Sequence, residues 1–142
     1  MIEPVAPLTG ACMCGAIRFE VSAPLVGARY CHCTRCQRRT GSAFSVTGLT
    51  QQGSFAITEG EDAVSTYEPG EDCWHKSFCS VCGSQLFTTH PEDAQQIAVR
   101  LGALDQDPGV RPSAHQFVAY AAPWEPIPDD GLPRYPERMA WE

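Results

Sequence analysis

Three thiols fall within six residues, at Cys31, Cys33 and Cys36. No other stretch constrains the fold as strongly. The C-x-x-C half forms a tight knuckle with both sulfurs turned inward, and the C-x-C half adds a third donor, so the run can wrap a single soft cation. Three protein donors leave one tetrahedral position. A water or substrate atom there makes the site catalytic, whereas a fourth protein ligand makes it structural.

Five more cysteines lie elsewhere: a pair at Cys12 and Cys14, a single at Cys73, and a pair at Cys79 and Cys82. Residues Met1 to Leu8 lack the basic n-region and apolar h-region of an export signal, so a cytoplasmic location is expected. In a reducing cytosol eight cysteines read as metal ligands or reactive thiols in preference to a disulfide frame. The economical division joins the two pairs as a closed four-thiolate zinc site tying an early strand to a late one. Structural zinc of that kind contributes roughly 10 kcal/mol of binding free energy to folding. The triplet then makes a second site, with Cys73 unassigned. The competing arrangement has Cys73 close the triplet, which would make both sites structural and the protein a zinc-stabilised binding module without turnover. An even spacing from Cys79 gives Cys73 a further reading, as a small hydrophobe on the same strand face.

With 142 residues the chain suits one domain, 1–142, with a core of about 10–124 and a proline-rich strap over 125–142. A net charge of −7 argues against nucleic acid as a partner, and no apolar run is long enough to span a bilayer. Alternation of Ile17, Phe19 and Val21 with polar neighbours predicts a strand. Further strands are expected at 44–49, 54–58, 63–67, 96–101 and 115–120, with another after Cys82. Thr34 to Thr40 is read as a short helical segment stopped by Gly41. This is a meandering β domain. Trp124 is expected in the core, anchoring the strap.

The runs Gly10-x-Cys12-x-Cys14-Gly15-Ala16-Ile17-Arg18-Phe19, Cys31-His32-Cys33-x-x-Cys36-Gln37-Arg38-x-Thr40-Gly41-Ser42-Ala43-Phe44 and Phe78-Cys79-x-x-Cys82-Gly83-Ser84 stand in that order. Together they resemble the glutathione-dependent formaldehyde-activating enzyme family, which includes centromere protein V. Leu104-Asp105, His115 and Trp124 are weaker echoes. The resemblance implies a mainly β, β-tent fold of twisted antiparallel sheets stapled by zinc. It implies two Zn²⁺ per chain, one structural at Cys12, Cys14, Cys79 and Cys82 and one catalytic at Cys31, Cys33 and Cys36. The implied activity is that of a carbon–sulfur lyase acting on thiol–aldehyde adducts such as S-hydroxymethylglutathione, with glutathione or another small thiol as co-substrate.

The chemistry also follows from the donors. Three thiolates make zinc a weak Lewis acid, poorly suited to generating hydroxide but able to bind an incoming thiol and lower its pKa. A zinc deaminase would need H-x-E before P-C-x-x-C, and this chain has neither. Arg35, Arg38 and Arg39 read either as clamps for the carboxylates of an acidic thiol or as solvated charges, with Arg38 favoured by its place in the motif. Gln37 and Ser42 are candidates to donate to substrate or to cap the turn. His32 lies between two expected ligands, so C-x-C geometry should turn it away from the metal. His115 is a candidate proton donor near the site, while His75 and His90 are expected to be ordinary. The oligomeric state has no signature in the sequence.

Overall fold

The structure is a computed structural model that describes residues 5–139, so both ends of the expected domain, including 140–142 of the strap, lie outside the described residues. Among the described residues, ten strands and one short α-helix run in order as β1 (Leu8–Ala11), β2 (Arg18–Val21), β3 (Gly27–Cys31), α1 (Thr34–Thr40), β4 (Ser45–Leu49), β5 (Phe55–Glu59), β6 (Val64–Tyr67), β7 (His75–Cys79), β8 (Gln85–His90), β9 (Asp93–Arg100) and β10 (Pro112–Gln116). They form a three-stranded sheet, β1-β2-β5, and a seven-stranded sheet, β10-β3-β4-β9-β8-β7-β6. The mainly β architecture is the one expected. β10 joins β3 in parallel, and the other pairs are antiparallel.

The two sheets meet through apolar side chains placed by period-two alternation. Leu8, Phe19, Val21, Leu86 and Val99 are wholly or almost wholly buried in one core cluster. Phe19 packs on Phe55 at 5.4 Å between ring centres, and Phe55 on Phe87 at 4.6 Å, which carries the contact from the small sheet to the large one. Truncating a buried aromatic of this kind costs about 3–5 kcal/mol. On β9, Ile97 and Val99 belong to this core, whereas Gln96, Ala98 and Arg100 line a cavity on the other face of the large sheet. The large sheet thus has one oily face and one polar face, and the polar face carries the candidate site.

Three departures from expectation have local causes. β3 occupies a stretch where no strand was expected; it sits between β10 and β4, and Ala28 and Arg29 are both buried, so no in–out alternation marks it. β10 begins earlier than expected and stops at Gln116, because Phe117 takes a left-handed conformation at φ 57° and a 3₁₀ turn follows over Val118–Tyr120. Trp124 is 66% exposed, which corrects its assignment to the core. The strap is held instead by its backbone: His115 N donates to Pro133 O at 3.0 Å, Tyr135 N to His115 O at 2.8 Å, and Phe117 N to Glu137 O at 3.0 Å. Among the described residues no helix is long and apolar enough to cross a membrane.

Candidate metal centres and the cavity they face

Seven of the eight cysteines converge in two groups, each with its sulfurs within 4.8 Å of one another: Cys12, Cys14, Cys79 and Cys82, and Cys31, Cys33 and Cys36. The first joins the turn after β1 to the end of β7 and the turn beyond it. Its Sγ atoms are 3.6 Å apart for Cys12 and Cys14 and 3.9 Å apart for Cys14 and Cys79. Four sulfurs at 2.3 Å from a tetrahedral zinc stand about 3.8 Å from one another, so the donor set fits that ion.

Backbone amides surround the group. Ile17 N donates to Cys12 Sγ at 3.2 Å, and Val81 N and Cys82 N donate to Cys79 Sγ at 3.4 and 3.5 Å. Gly15 at φ 80° and Gly83 at φ 81° supply the left-handed turn that lets each knuckle fold back on its sulfurs. Met13 N donates to Ser84 Oγ at 2.9 Å, stitching the two knuckles together. Hydrogen bonds from the Ser84 side chain and backbone pull the Cys82 thiol down to about 5. A backbone hydrogen bond from Ala16 favours the Cys14 thiolate, but desolvation and the crowding of its sulfur neighbours push that thiol up to about 11. One sulfur gives up its proton at the others' expense, and full deprotonation calls for a cation.

The second group is local. Cys31 ends β3, Cys33 is the N-cap of α1, and Cys36 lies one turn into the helix. The Cys33 sulfur takes the part a serine or aspartate oxygen often plays, accepting the Cys36 N–H at 3.3 Å. Gly41, in the left-handed region at φ 69°, stops the helix where the sequence placed its end. Hydrogen bonds from Cys31 and Cys33 bring the Cys36 thiol down to about 2, with Ser45 and the Arg100 charge assisting. The same contacts, with burial, push Cys31 far up. These three donors also fit a soft cation, and all three line a cavity of about 840 Å³.

Cys73 stands apart from both groups. It lines the cavity on the loop before β7, and the Arg35 guanidinium donates to its sulfur. It therefore does not complete the triplet in this arrangement, nor does it lie on the strand with Cys79.

The other expected site residues divide. Arg35 and Arg39 line the cavity, but exposed Arg38 does not. Gln37 Nε2 donates to His32 O at 3.0 Å and to Tyr120 O at 2.9 Å, tying α1 to the turn after β10. Ser42 Oγ donates to Phe44 O at 2.8 Å and bonds Thr40 Oγ1 within the helix-ending turn. Neither Gln37 nor Ser42 lines the cavity.

His32 turns away from the sulfurs, as the alternation of C-x-C requires, and is buried. Its Nε2 lies 2.8 Å from His115 Nδ1, and His115 Nε2 lies 2.7 Å from Asp130 Oδ2. A carboxylate only accepts, so His115 donates through Nε2 and a neutral His115 accepts the His32 Nε2–H at Nδ1. Burial holds His32 below the usual imidazole range. This chain fastens the strap to the residue between Cys31 and Cys33.

Among the cavity residues that escaped the sequence reading are Arg100 on β9 and Lys76 on β7. The signal for Arg100 was the alternation itself: with Ile97 and Val99 facing the core, an arginine at the next position must face the other way.

A family model described as glutathione-dependent formaldehyde-activating enzyme matches residues 7–120. A curated relative from Halomonas elongata, described as "Putative glutathione-dependent formaldehyde-activating enzyme", is 28% identical over 109 residues, covering 70% of this chain and 67% of its own. The crystal structure of a Rhodobacter sphaeroides protein, 21% identical, shares the fold with a TM-score of 0.59 over 89% of this chain and 98% of that one. With motifs and family match in agreement over most of its length, the chain belongs to the glutathione-dependent formaldehyde-activating enzyme family.

Proposed function

We propose that the protein is a zinc-dependent carbon–sulfur lyase that makes or breaks thiol–aldehyde adducts of the S-hydroxymethylglutathione type. One observation carries this reading: the three-thiol group lines a large cavity while the four-thiol group does not. Cys12, Cys14, Cys79 and Cys82 would then hold a structural zinc, and Cys31, Cys33 and Cys36, which line the cavity, would hold a catalytic one. Zinc held there supplies a Lewis acid that lowers the pKa of a substrate thiol and stabilises its thiolate as the C–S bond forms or breaks.

The chain's own residues set the geometry. Ser45 and Arg100 hydrogen-bond Cys36, fixing its sulfur against the sheet. Trp74, Phe117 and Tyr120 wall the cavity and exclude water from an adduct inside it. The relay through His32, His115 and Asp130 keeps Cys31 and Cys33 on the cavity side of the strand end. The reading takes the chain as one domain working in the reducing cytosol, with small-molecule thiols and aldehydes, and neither nucleic acid nor membrane, as its partners.

The test joins metal content to reaction. Protein purified without added metal should hold two zincs per chain and should accelerate the exchange of glutathione and formaldehyde with their adduct, followed by two-dimensional NMR exchange. Two zincs without any acceleration would turn the reading into a zinc-stabilised binding module.

A further inference from the structure

The cavity holds far more positive charge than the thiolates of its metal group call for. Six cationic side chains line it, Arg29, Arg35, Arg39, Lys76, Arg100 and Arg138, against only two carboxylates, Glu71 and Asp72. Three of the six, Arg39 from α1, Lys76 from β7 and Arg100 from β9, crowd the Cys36 side. Burial lowers both guanidinium groups from their ordinary range; the Arg100 charge adds to the effect at Arg39, and the Cys36 charge opposes it at both. Burial does the same to Lys76, although the Cys36 charge opposes it.

None of the three has a carboxylate partner among the ion pairs of the described residues. Arg100 is only 9% exposed, and its Nε has no hydrogen-bond partner; the Arg39 Nε is likewise buried and unpartnered. A buried charged donor group without a partner is costly, and two such Nε groups beside the Lys76 ammonium, gathered from three separate elements, form a built receptor for an anion. A zinc bound by three thiolates has a net charge of about −1, which leaves most of that positive charge uncompensated. Formaldehyde, with two heavy atoms and no charge, uses none of it.

We propose that the carbonyl partner carries a carboxylate beside its reacting carbon, as a 2-oxo or aldehydo acid does, and that Arg39, Lys76 and Arg100 receive that carboxylate next to the three-thiol group. This inference rests on the proposed thiol–aldehyde chemistry and names its substrate class. The reaction stays in balance without an oxidant: the thiol sulfur bonds to the carbonyl carbon, the C=O π pair goes to oxygen, and the thiol proton ends on that oxygen. Glyoxylate is the smallest probe.

Two experiments on the zinc-loaded protein decide the matter. The first is calorimetric and needs no turnover: S-(carboxymethyl)glutathione and S-methylglutathione are stable mimics of the glyoxylate and formaldehyde adducts. The carboxymethyl compound should bind about 10-fold or more tightly, the effect of one charge-assisted contact in a shielded site. Lys76→Gln and Arg39→Gln should each erase most of that preference, read as the ratio of the two affinities. They serve beside Arg100→Gln, whose buried position puts its folding at risk. Equal affinity for the two mimics would overturn the proposal.

The second experiment compares exchange of glutathione with glyoxylate and with formaldehyde, and repeats the glyoxylate arm with 2-mercaptoethanol, which lacks carboxylates. Faster exchange of glyoxylate with both thiols supports the proposal. Acceleration of formaldehyde alone, or of glyoxylate only when glutathione supplies the thiol, sinks it while leaving the lyase reading intact. No acceleration with either carbonyl removes both.

Discussion

The two thiol groups use one ligand type to opposite ends. The four-thiol group draws its sulfurs from positions far apart in sequence, holds two strand ends together, and takes its stabilising dipoles from backbone N–H groups. The three-thiol group is built within one short segment, and its stabilising charge comes from long cationic side chains on distant strands. Amide dipoles are fixed by the fold and leave no room for anything else. Guanidinium and ammonium groups reach into open space and can exchange one anion for another. On the proposed reading, the contrast separates a staple from a receptor more sharply than the number of sulfurs does.

The largest effect should come from breaking the staple. Cys79→Ser removes a wholly buried sulfur that accepts two N–H bonds. Since structural zinc contributes roughly 10 kcal/mol against a whole-domain stability of about 5–15 kcal/mol, this variant should be largely unfolded at 37 °C. Circular dichroism melts with zinc analysis read this directly, and a near-normal melt would show that the group is no staple.

Next in size is the receptor itself. Cys36→Ser should reduce adduct exchange to the uncatalysed rate and cost one zinc, yet keep the fold, with melting lowered by about 2–4 °C for each kcal/mol lost. If this variant unfolds as completely as Cys79→Ser, the two groups do not differ in kind.

His115→Asn and Asp130→Asn sharpen the comparison, because the relay touches only one of the two groups. Loss of a partner that orients a ligand segment typically weakens metal binding about 10–100-fold. Chelator titration should show that loss at the three-thiol group alone, with the double variant no worse than either single one. Equal weakening of both metals would mean a general loosening of the fold.

The smallest effect belongs to Ser84→Ala. The Ser84 hydroxyl accepts from Met13 N at 2.9 Å and lies 3.1 Å from Cys82 Sγ. Its removal should cost about 1 kcal/mol, visible as a small drop in melting temperature without loss of either metal. A lost zinc would show that the hydroxyl, and not the backbone amides, holds the knuckle together.

Much of this design was legible in the sequence. Cysteine spacing sorted seven thiols into the two groups that the fold assembles, because knuckle geometry is local: sulfurs two or three residues apart can hardly avoid one another. The helix over Thr34–Thr40 and its stop at Gly41 were legible for the same reason, as were the strands with clear alternation. The reading failed where burial had erased the pattern, in β3, and where an aromatic was taken for core because of its size alone, at Trp124.

Sequence by itself determined the donors, their grouping and the outward turn of His32, all set by dihedral preferences over a few residues. Tertiary structure alone decided what surrounds them. Cys73 stays outside both groups because its loop ends short of the triplet, and Asp130 reaches His115 only because the strap runs beside β10. Arg39, Lys76 and Arg100 share one cavity because strand order and register bring β7 and β9 over α1, and like charges gathered from distant positions leave no local trace. Short-range geometry is written in neighbouring residues, whereas an electrostatic receptor is a sum over the whole fold.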